Sequence, residues 1–239
     1  MRPERRSLAA LALALAGLLA ASPAAATPCR LALVLAIDVS ASVDAAEYDL
    51  LRSGTAAALA SPEVEAAILS LGGVHIAAFQ WSGRGKERVS LPWTPLDGPA
   101  AIAAAAGLIA GTPRSTANYP TSLGWALGVA QRLHRDGPAP CDRRVVDVSG
   151  DGPNNYGFEP ASAYRAFDFA GITVNGLVVA EQDSSDAAPT IDYYRDNVLR
   201  GPGAFLEIAL GYADFERAMR RKLLREIGVL SLSRASQPR

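Results

Sequence analysis

The stretch from Leu31 to Val43, LALVLAIDVSASV, constrains this chain more than any other. It opens on an unbroken apolar run, Leu31 to Ile37, and then turns polar, with Asp38, Ser40 and Ser42 at alternate positions. A short apolar run bounded by polar residues predicts a strand buried on both faces, as inside a parallel sheet. The polar residues fall where that strand ends. In open α/β sheets, ligands bind just outside the carboxyl ends of the strands. One carboxylate and two hydroxyls there are hard oxygen donors, the kind Mg²⁺ takes while keeping some of its water. The plainer reading of the same residues is a strand end whose Asp and Ser cap the next helix.

Two later segments carry the same chemistry. Thr121-Ser122-Leu123-Gly124-Trp125-Ala126-Leu127 opens a segment with an apolar stripe at Leu123, Leu127, Ala130 and Leu133, which predicts a helix over Thr121 to His134. Arg143 to Ser149, RRVVDVS, predicts a further buried strand, and it runs into Gly150-Asp151-Gly152. The motif D-x-S-x-S after a buried first strand resembles the metal-ion-dependent adhesion site of von Willebrand factor type A domains. The T-x-x-G-x-A-L segment and the strand-end Asp-Gly resemble that family's second and third metal motifs, in the same order.

The resemblance spans nearly the whole mature chain. It implies an α/β, doubly wound, mostly parallel sheet with one antiparallel edge strand and helices on both faces. It also implies a site for Mg²⁺ or Mn²⁺ made by Asp38, Ser40, Ser42, Thr121 and Asp151. In such domains the hydroxyls usually bind the metal directly, and one or both aspartates act through water. Each residue has a plainer reading too: Thr121 as a helix cap after Pro120, Asp151 as a turn residue. Thr116 is a rival ligand without the Gly and Ala-Leu context. Gly150-x-Gly152 is a poor dinucleotide loop, because Asn155 stands where the third glycine belongs.

The remaining elements alternate, as a doubly wound fold requires. Helices are predicted at Asp44 to Ala60, Pro99 to Ala110, Pro160 to Ala170, Ile191 to Leu199 and Tyr212 to Ile227. Strands are predicted at Val74 to Trp81, Glu87 to Trp93, Ile172 to Ala180 and Ala204 to Ala209. The first two of these, joined by Ser82-Gly83-Arg84-Gly85-Lys86, read as a hairpin that supplies the antiparallel edge.

Residues 1–26 have a basic start (Arg2, Arg5, Arg6), an apolar run from Leu8 to Ala21 and a small-residue site at Ala24-Ala25-Ala26. That is the pattern of a cleaved secretory signal, and it places the mature protein in the periplasm or outside the cell. The domain is expected over residues 27–228 and a mobile tail over 229–239. The whole chain carries 23 basic and 24 acidic residues; without Arg2, Arg5, Arg6 and Glu4 the counts are 20 and 23. This balance gives no support to nucleic-acid binding, which shows as a basic patch.

An even cysteine count in an exported protein suggests a disulfide. Cys29 lies nine residues before Asp38, and Cys141 ten before Asp151. If the first and fourth strands are parallel neighbours and their aspartates converge at one end, the cysteines meet near the other.

Signatures of a serine hydrolase elbow, a zinc protease or a P-loop are missing. His75 and His134 read as structural, and so do Trp93 and Trp125. Asp147, inside VVDVS, is a charge in a buried strand that needs a partner, either Arg143 or Arg144 or backbone N–H groups. The resemblance implies a binding or adhesion protein that recognises a protein partner by an Asp or Glu completing the metal shell. Gln80, Trp81, Tyr119, Asn154 and Asn155 are the expected rim around the bound group. The rival functions are a scaffold with a structural metal and a hydrolase whose metal activates water.

Overall fold

The structure is a computed structural model and describes residues 28–181 and 184–235, with side chains described as far as Gly228. The expected signal segment and residues 236–239 lie outside the described residues. Six strands form one sheet: β1 (Cys29–Asp38), β2 (Val74–Trp81), β3 (Arg88–Pro95), β4 (Cys141–Gly150), β5 (Ile172–Val179) and β6 (Leu206–Ala209). Their spatial order is β3-β2-β1-β4-β5-β6. Every pairing is parallel except β2 with β3, the hairpin at the edge. The chain starts at the centre, winds outward to one edge, then crosses back to build the other half. The order therefore reverses between β1 and β4, and ligands bind at such a switch point.

Among the described residues, seven α-helices cover the two faces: α1 (Ala45–Leu59), α2 (Pro62–Leu71), α3 (Pro99–Gly111), α4 (Leu123–Arg135), α5 (Pro160–Ala166), α6 (Ala187–Tyr193) and α7 (Phe215–Ala235). Strand β1 shows why its sequence is apolar throughout. Leu31, Leu33, Leu35 and Ile37 pack into one core with α1, α2, α3 and α7, and Val34 and Ala36 into the other with α4 and α5. A strand covered on both faces has no side left for water. Helix α1 starts at a reciprocal cap: Asp44 accepts from the Glu47 N–H, and Glu47 accepts from the Asp44 N–H.

Helix α2 was not expected from the sequence, though its signals are present: Ser61 at the cap, Pro62 at the first turn, Glu63 beside it. Helix α4 begins at Leu123, two residues after the predicted start. The predicted helix at Ile191 to Leu199 is instead α6 followed by a π-helical turn, Tyr194–Val198. Helix α7 runs on to Ala235, past the Gly228 at which a tail was expected. Among the described residues, no helix is long and apolar enough to cross a membrane.

Cys29 and Cys141 are register partners on β1 and β4 and form a disulfide, with Cα atoms 4.5 Å apart. The bond closes a loop with 112 residues of sequence separation. On the chain-entropy account, a loop of that length contributes about 4–5 kcal/mol by restricting the unfolded chain.

Candidate functional site

The carboxyl ends of β1 and β4 deliver Asp38 and Asp151 to one place, and the segment leading into α4 brings Thr121 against Ser40. A chain of hydrogen bonds joins the predicted ligands. Thr121 Oγ1 donates to Ser40 Oγ at 3.3 Å, the Ser40 and Ser42 hydroxyls lie 3.2 Å apart, and Ser42 Oγ donates to Asp151 Oδ1 at 2.8 Å. Asp38 is tied in through Oδ1, which accepts the Ser40 N–H at 2.7 Å. All five residues that the sequence singled out therefore converge.

Two features of the cluster bear on whether a cation fits. Asp38 is only 1% exposed, and its Oδ2 is buried with no hydrogen-bond partner among the described residues. Burial, and then the neighbouring Asp151 carboxylate, push the Asp38 carboxyl up to about 8. Gly150 lines the same spot: a Cβ there would collide with the buried Tyr194 hydroxyl and stand 2.9 Å from Asp38 Oδ2. The backbone of residue 150 packs closely against that oxygen and the Tyr194 hydroxyl, so only a residue without a side chain fits there. The donors are all oxygen, with no Cys or His, a set that suits a divalent cation. Among the described residues, no cluster of three or more His, Cys, Asp or Glu offers another metal site.

Three residues hold the cluster in shape without having been expected from sequence. The Arg114 guanidinium donates to the carbonyls of Val39, Ser40 and Val43, clamping the loop that carries both serines. Tyr212 donates its hydroxyl to Asp151 Oδ2 at 2.8 Å. Tyr194, fully buried, faces Gly150. Arg114 lies in the polar TPRSTANYP loop, and an arginine there was the available hint. The tyrosines come from distant segments and left no local signal.

The expected rim needs correction. Gln80 is buried: its amide donates to Tyr48 Oη and the Pro113 carbonyl, and its oxygen accepts the Ser115 N–H. Trp81 has no exposed surface and packs in the α4-side core. Strand residues alternate between the two covered faces, so ending a strand did not place either at the surface. Asn154 and Asn155 accept the backbone N–H groups of Leu123 and Thr121, both at 2.8 Å. They cap α4 from a separate loop, a task that Thr121 and Ser122 do not perform. Gly124 makes this approach possible, since a Cβ there would strike the Phe158 carbonyl. Tyr119 is exposed, as expected. Thr116 bonds Ser82 Oγ at 2.9 Å and stands outside the ligand chain. Asp147 pairs with Lys222 of α7, not with Arg143 or Arg144.

Next to Asp151 lies a cavity of about 180 Å³ whose walls include Glu47, Glu181 and Asp186. On the opposite side, Tyr119 accepts the Ala41 N–H through its carbonyl, and Arg84 and Lys86 lie over Trp125 and Tyr119. The rim is thus acidic toward α6 and basic toward the β2–β3 hairpin.

A sheet in this order, with the oxygen cluster at its switch point, is the architecture of a von Willebrand factor type A domain. The chain belongs to the family described as protein of unknown function DUF1194, whose model matches residues 28–231. Similar solved structures include a von Willebrand factor type A protein from Catenulispora acidiphila, at 18% identity and TM-score 0.55 over 84% of this chain and 43% of that one. Another is the pilus adhesin SpaC from Lactobacillus rhamnosus GG, at 14% identity and TM-score 0.60 over 83% and 31%. A third is mussel byssus proximal thread matrix protein 1 with a zinc-occupied metal-ion-dependent adhesion site, at 15% identity and TM-score 0.56 over 84% and 49%. The chain spans less than half the length of each of these three. Among curated proteins, none matches.

Proposed function

We propose that this chain is an exported binding domain that holds a protein partner through an acidic side chain at a divalent cation, Mg²⁺ or Mn²⁺. Asp38, Ser40, Ser42, Thr121 and Asp151 would hold the cation. When bound, it supplies an electrophilic position at which a partner Asp or Glu replaces water. The observation that carries this reading is the convergence of these five oxygen-bearing side chains at the strand ends, with Asp38 Oδ2 buried and unpartnered among the described residues. A lone buried carboxylate oxygen is costly unless something positive meets it. The protein does its own part through position: Arg114 fixes the serine loop, Tyr212 orients Asp151, and Asn155 holds the backbone of Thr121. Similar folds in a pilus adhesin, a minor pilin and a byssus matrix protein support a binding role. The disulfide suits an exported protein.

Thr121 is 3% exposed, not at an open helix start as a surface ligand would be, yet its one side-chain bond is the long contact to Ser40. Thr121→Ala is therefore expected to cost little stability and much binding. The test is capture of a partner from an envelope extract in Mg²⁺, in chelator, and with Thr121→Ala. Capture in Mg²⁺ alone is expected. Equal capture under all three conditions overturns metal-mediated binding and leaves a scaffold.

A further inference from the structure

The two sides of the rim carry opposite charge, and the basic side is built in an unusual way. Arg84 is exposed, and its guanidinium sits 4.8 Å from the centre of the Trp125 ring. Lys86 Nζ sits 4.4 Å from the centre of the Tyr119 ring. Among the described residues, neither has a carboxylate within ion-pairing distance. An aromatic face holds a cation in place without neutralising it, so each keeps hydrogens free for an incoming anion.

Both cations are joined to the metal cluster by short paths. The hairpin packs on the segment before Thr121, because a Cβ at Gly83 would meet Tyr119 Cβ at 3.2 Å and Pro120 Cδ at 3.5 Å. Ser122 N–H donates to the Ser82 carbonyl at 3.1 Å, and Ala41 N–H donates to the Tyr119 carbonyl at 2.8 Å. Tyr119 thus touches both the serine loop and the cation on the hairpin. On the far side of Asp151, Glu47, Glu181 and Asp186 line the cavity wall and repel a second carboxylate.

From this placement we infer that the partner segment is an acidic tract, not a single acidic residue. One carboxylate occupies the metal position, and the next ones run toward the β2–β3 hairpin to pair with Arg84 and Lys86. The acidic wall fixes the direction of the tract. This inference rests on the proposed function for its first carboxylate, while its second anchor stands on the hairpin alone.

The test is a chemical-shift titration of the purified protein with two glycine-flanked peptides, one holding a single glutamate and one holding three in a row. Each is titrated in excess Mg²⁺ and in EDTA. In Mg²⁺ the triglutamate peptide should bind about five- to tenfold more tightly, a gain the size of two exposed ion pairs. Arg84→Gln/Lys86→Gln should remove that gain, leave the single-glutamate affinity alone and leave the melting midpoint unchanged; 0.5 M salt should shrink it. Equal affinity for both peptides in wild type, or a gain that survives in the double variant, overturns the acidic tract while leaving the metal reading intact. A triglutamate gain that persists in EDTA and vanishes in the variant keeps the tract and removes the metal. Binding of neither peptide overturns both. Tighter binding of a short oligodeoxynucleotide of equal charge overturns the carboxylate assignment.

Discussion

Asp38 and Asp147 are aspartates on neighbouring strands of one sheet, 1% and 2% exposed, and they differ in what stands beside them. Asp147 points to the α7 face, where Lys222 bonds its Oδ1; Lys222 also lies 3.4 Å from Glu226 Oε1, and Asn175 donates to that same oxygen. Arg143 reaches the Glu226 carbonyl at 2.7 Å, and its guanidinium lies 3.7 Å from Glu226 Oε2. That cluster carries its own cation. Burial, then the Glu226 charge, still hold the Asp147 carboxyl well above the usual carboxylate range, although Lys222 pulls the other way. Asp38 has Asp151 for a neighbour, and the cationic group that faces it, Arg114, donates through one guanidinium nitrogen to backbone carbonyls. Each aspartate has a buried Oδ2 without a hydrogen-bond partner among the described residues, so the difference lies in the cation at Oδ1. One cluster is closed by the chain and sits mid-strand. The other sits at the strand ends, and in the proposed function a cation from outside completes it.

Removing the internal cation should have the largest effect. Lys222→Met leaves Asp147 buried without a cation and Glu226 with only the Arg143 guanidinium at 3.7 Å, and breaking a buried pair this way costs about 3–5 kcal/mol. The triple variant Asp147→Asn/Lys222→Met/Glu226→Gln should recover most of that loss, because no buried charge remains. Urea unfolding midpoints read both. A loss below about 1 kcal/mol for Lys222→Met would show that the closed cluster is no better compensated than the open one.

His134 supplies a third way to bury a titratable group, which is to lose its charge. It lies in α4 against Trp93, and its Nε2 faces the Val145 carbonyl at 3.0 Å, so that nitrogen carries the proton. Burial lowers it from 6.5 to about 4. The unfolded chain then binds a proton near 6.5 that the folded chain refuses until about 4, so stability is full above 6.5 and falls as pH drops through that window. The loss is about 3 kcal/mol. The raised carboxyls of Asp38 and Asp147 act with the opposite sign over the same range, so the measurement is the difference between wild type and His134→Gln, from pH 7 to 4.5. A difference that does not change with pH would mean that folding leaves the His134 proton affinity unshifted.

The open cluster was the more legible of the two from sequence, for a physical reason. Its ligands sit at the ends of elements, where D-x-S-x-S, T-x-x-G-x-A-L and Asp-Gly stand out against the apolar runs that precede them. The closed cluster joins mid-strand Asp147 to Lys222 and Glu226, about 75 residues later on a helix, and nothing local marks that pairing. Strand order and the Cys29–Cys141 pairing were also legible, because once β1 and β4 are neighbours the offsets from the two aspartates nearly fix where the cysteines fall. Gln80 and Trp81 were misplaced on the rim, since the end of a strand does not say which way its side chains face. Helix α2 escapes a local reading because Pro62 follows so closely on the end of α1 that it marks the stop of one helix and the start of the next.

Supplying the external cation should raise stability by a smaller amount than Lys222 provides internally. A ligand at a hundred times its dissociation constant stabilises by about 2.7 kcal/mol, or roughly 5–10 °C in melting midpoint for a domain of this size. Asp38→Asn removes a carboxyl that burial and the Asp151 charge force to take up a proton on folding, so in chelator its midpoint should rise above wild type, while the response to Mg²⁺ should vanish. Tyr212→Phe is the subtler change. It deletes one hydrogen bond to Asp151 Oδ2 and costs about 1 kcal/mol in chelator. It also frees Asp151 to rotate away, and loss of such a supporting contact typically weakens a metal about 10–100-fold. The midpoint gain at a fixed, modest Mg²⁺ concentration should therefore shrink in Tyr212→Phe and reappear when the concentration is raised to match. If Asp38→Asn instead melts below wild type in chelator, the buried Oδ2 is already compensated within the fold, and the contrast between an open and a closed cluster fails.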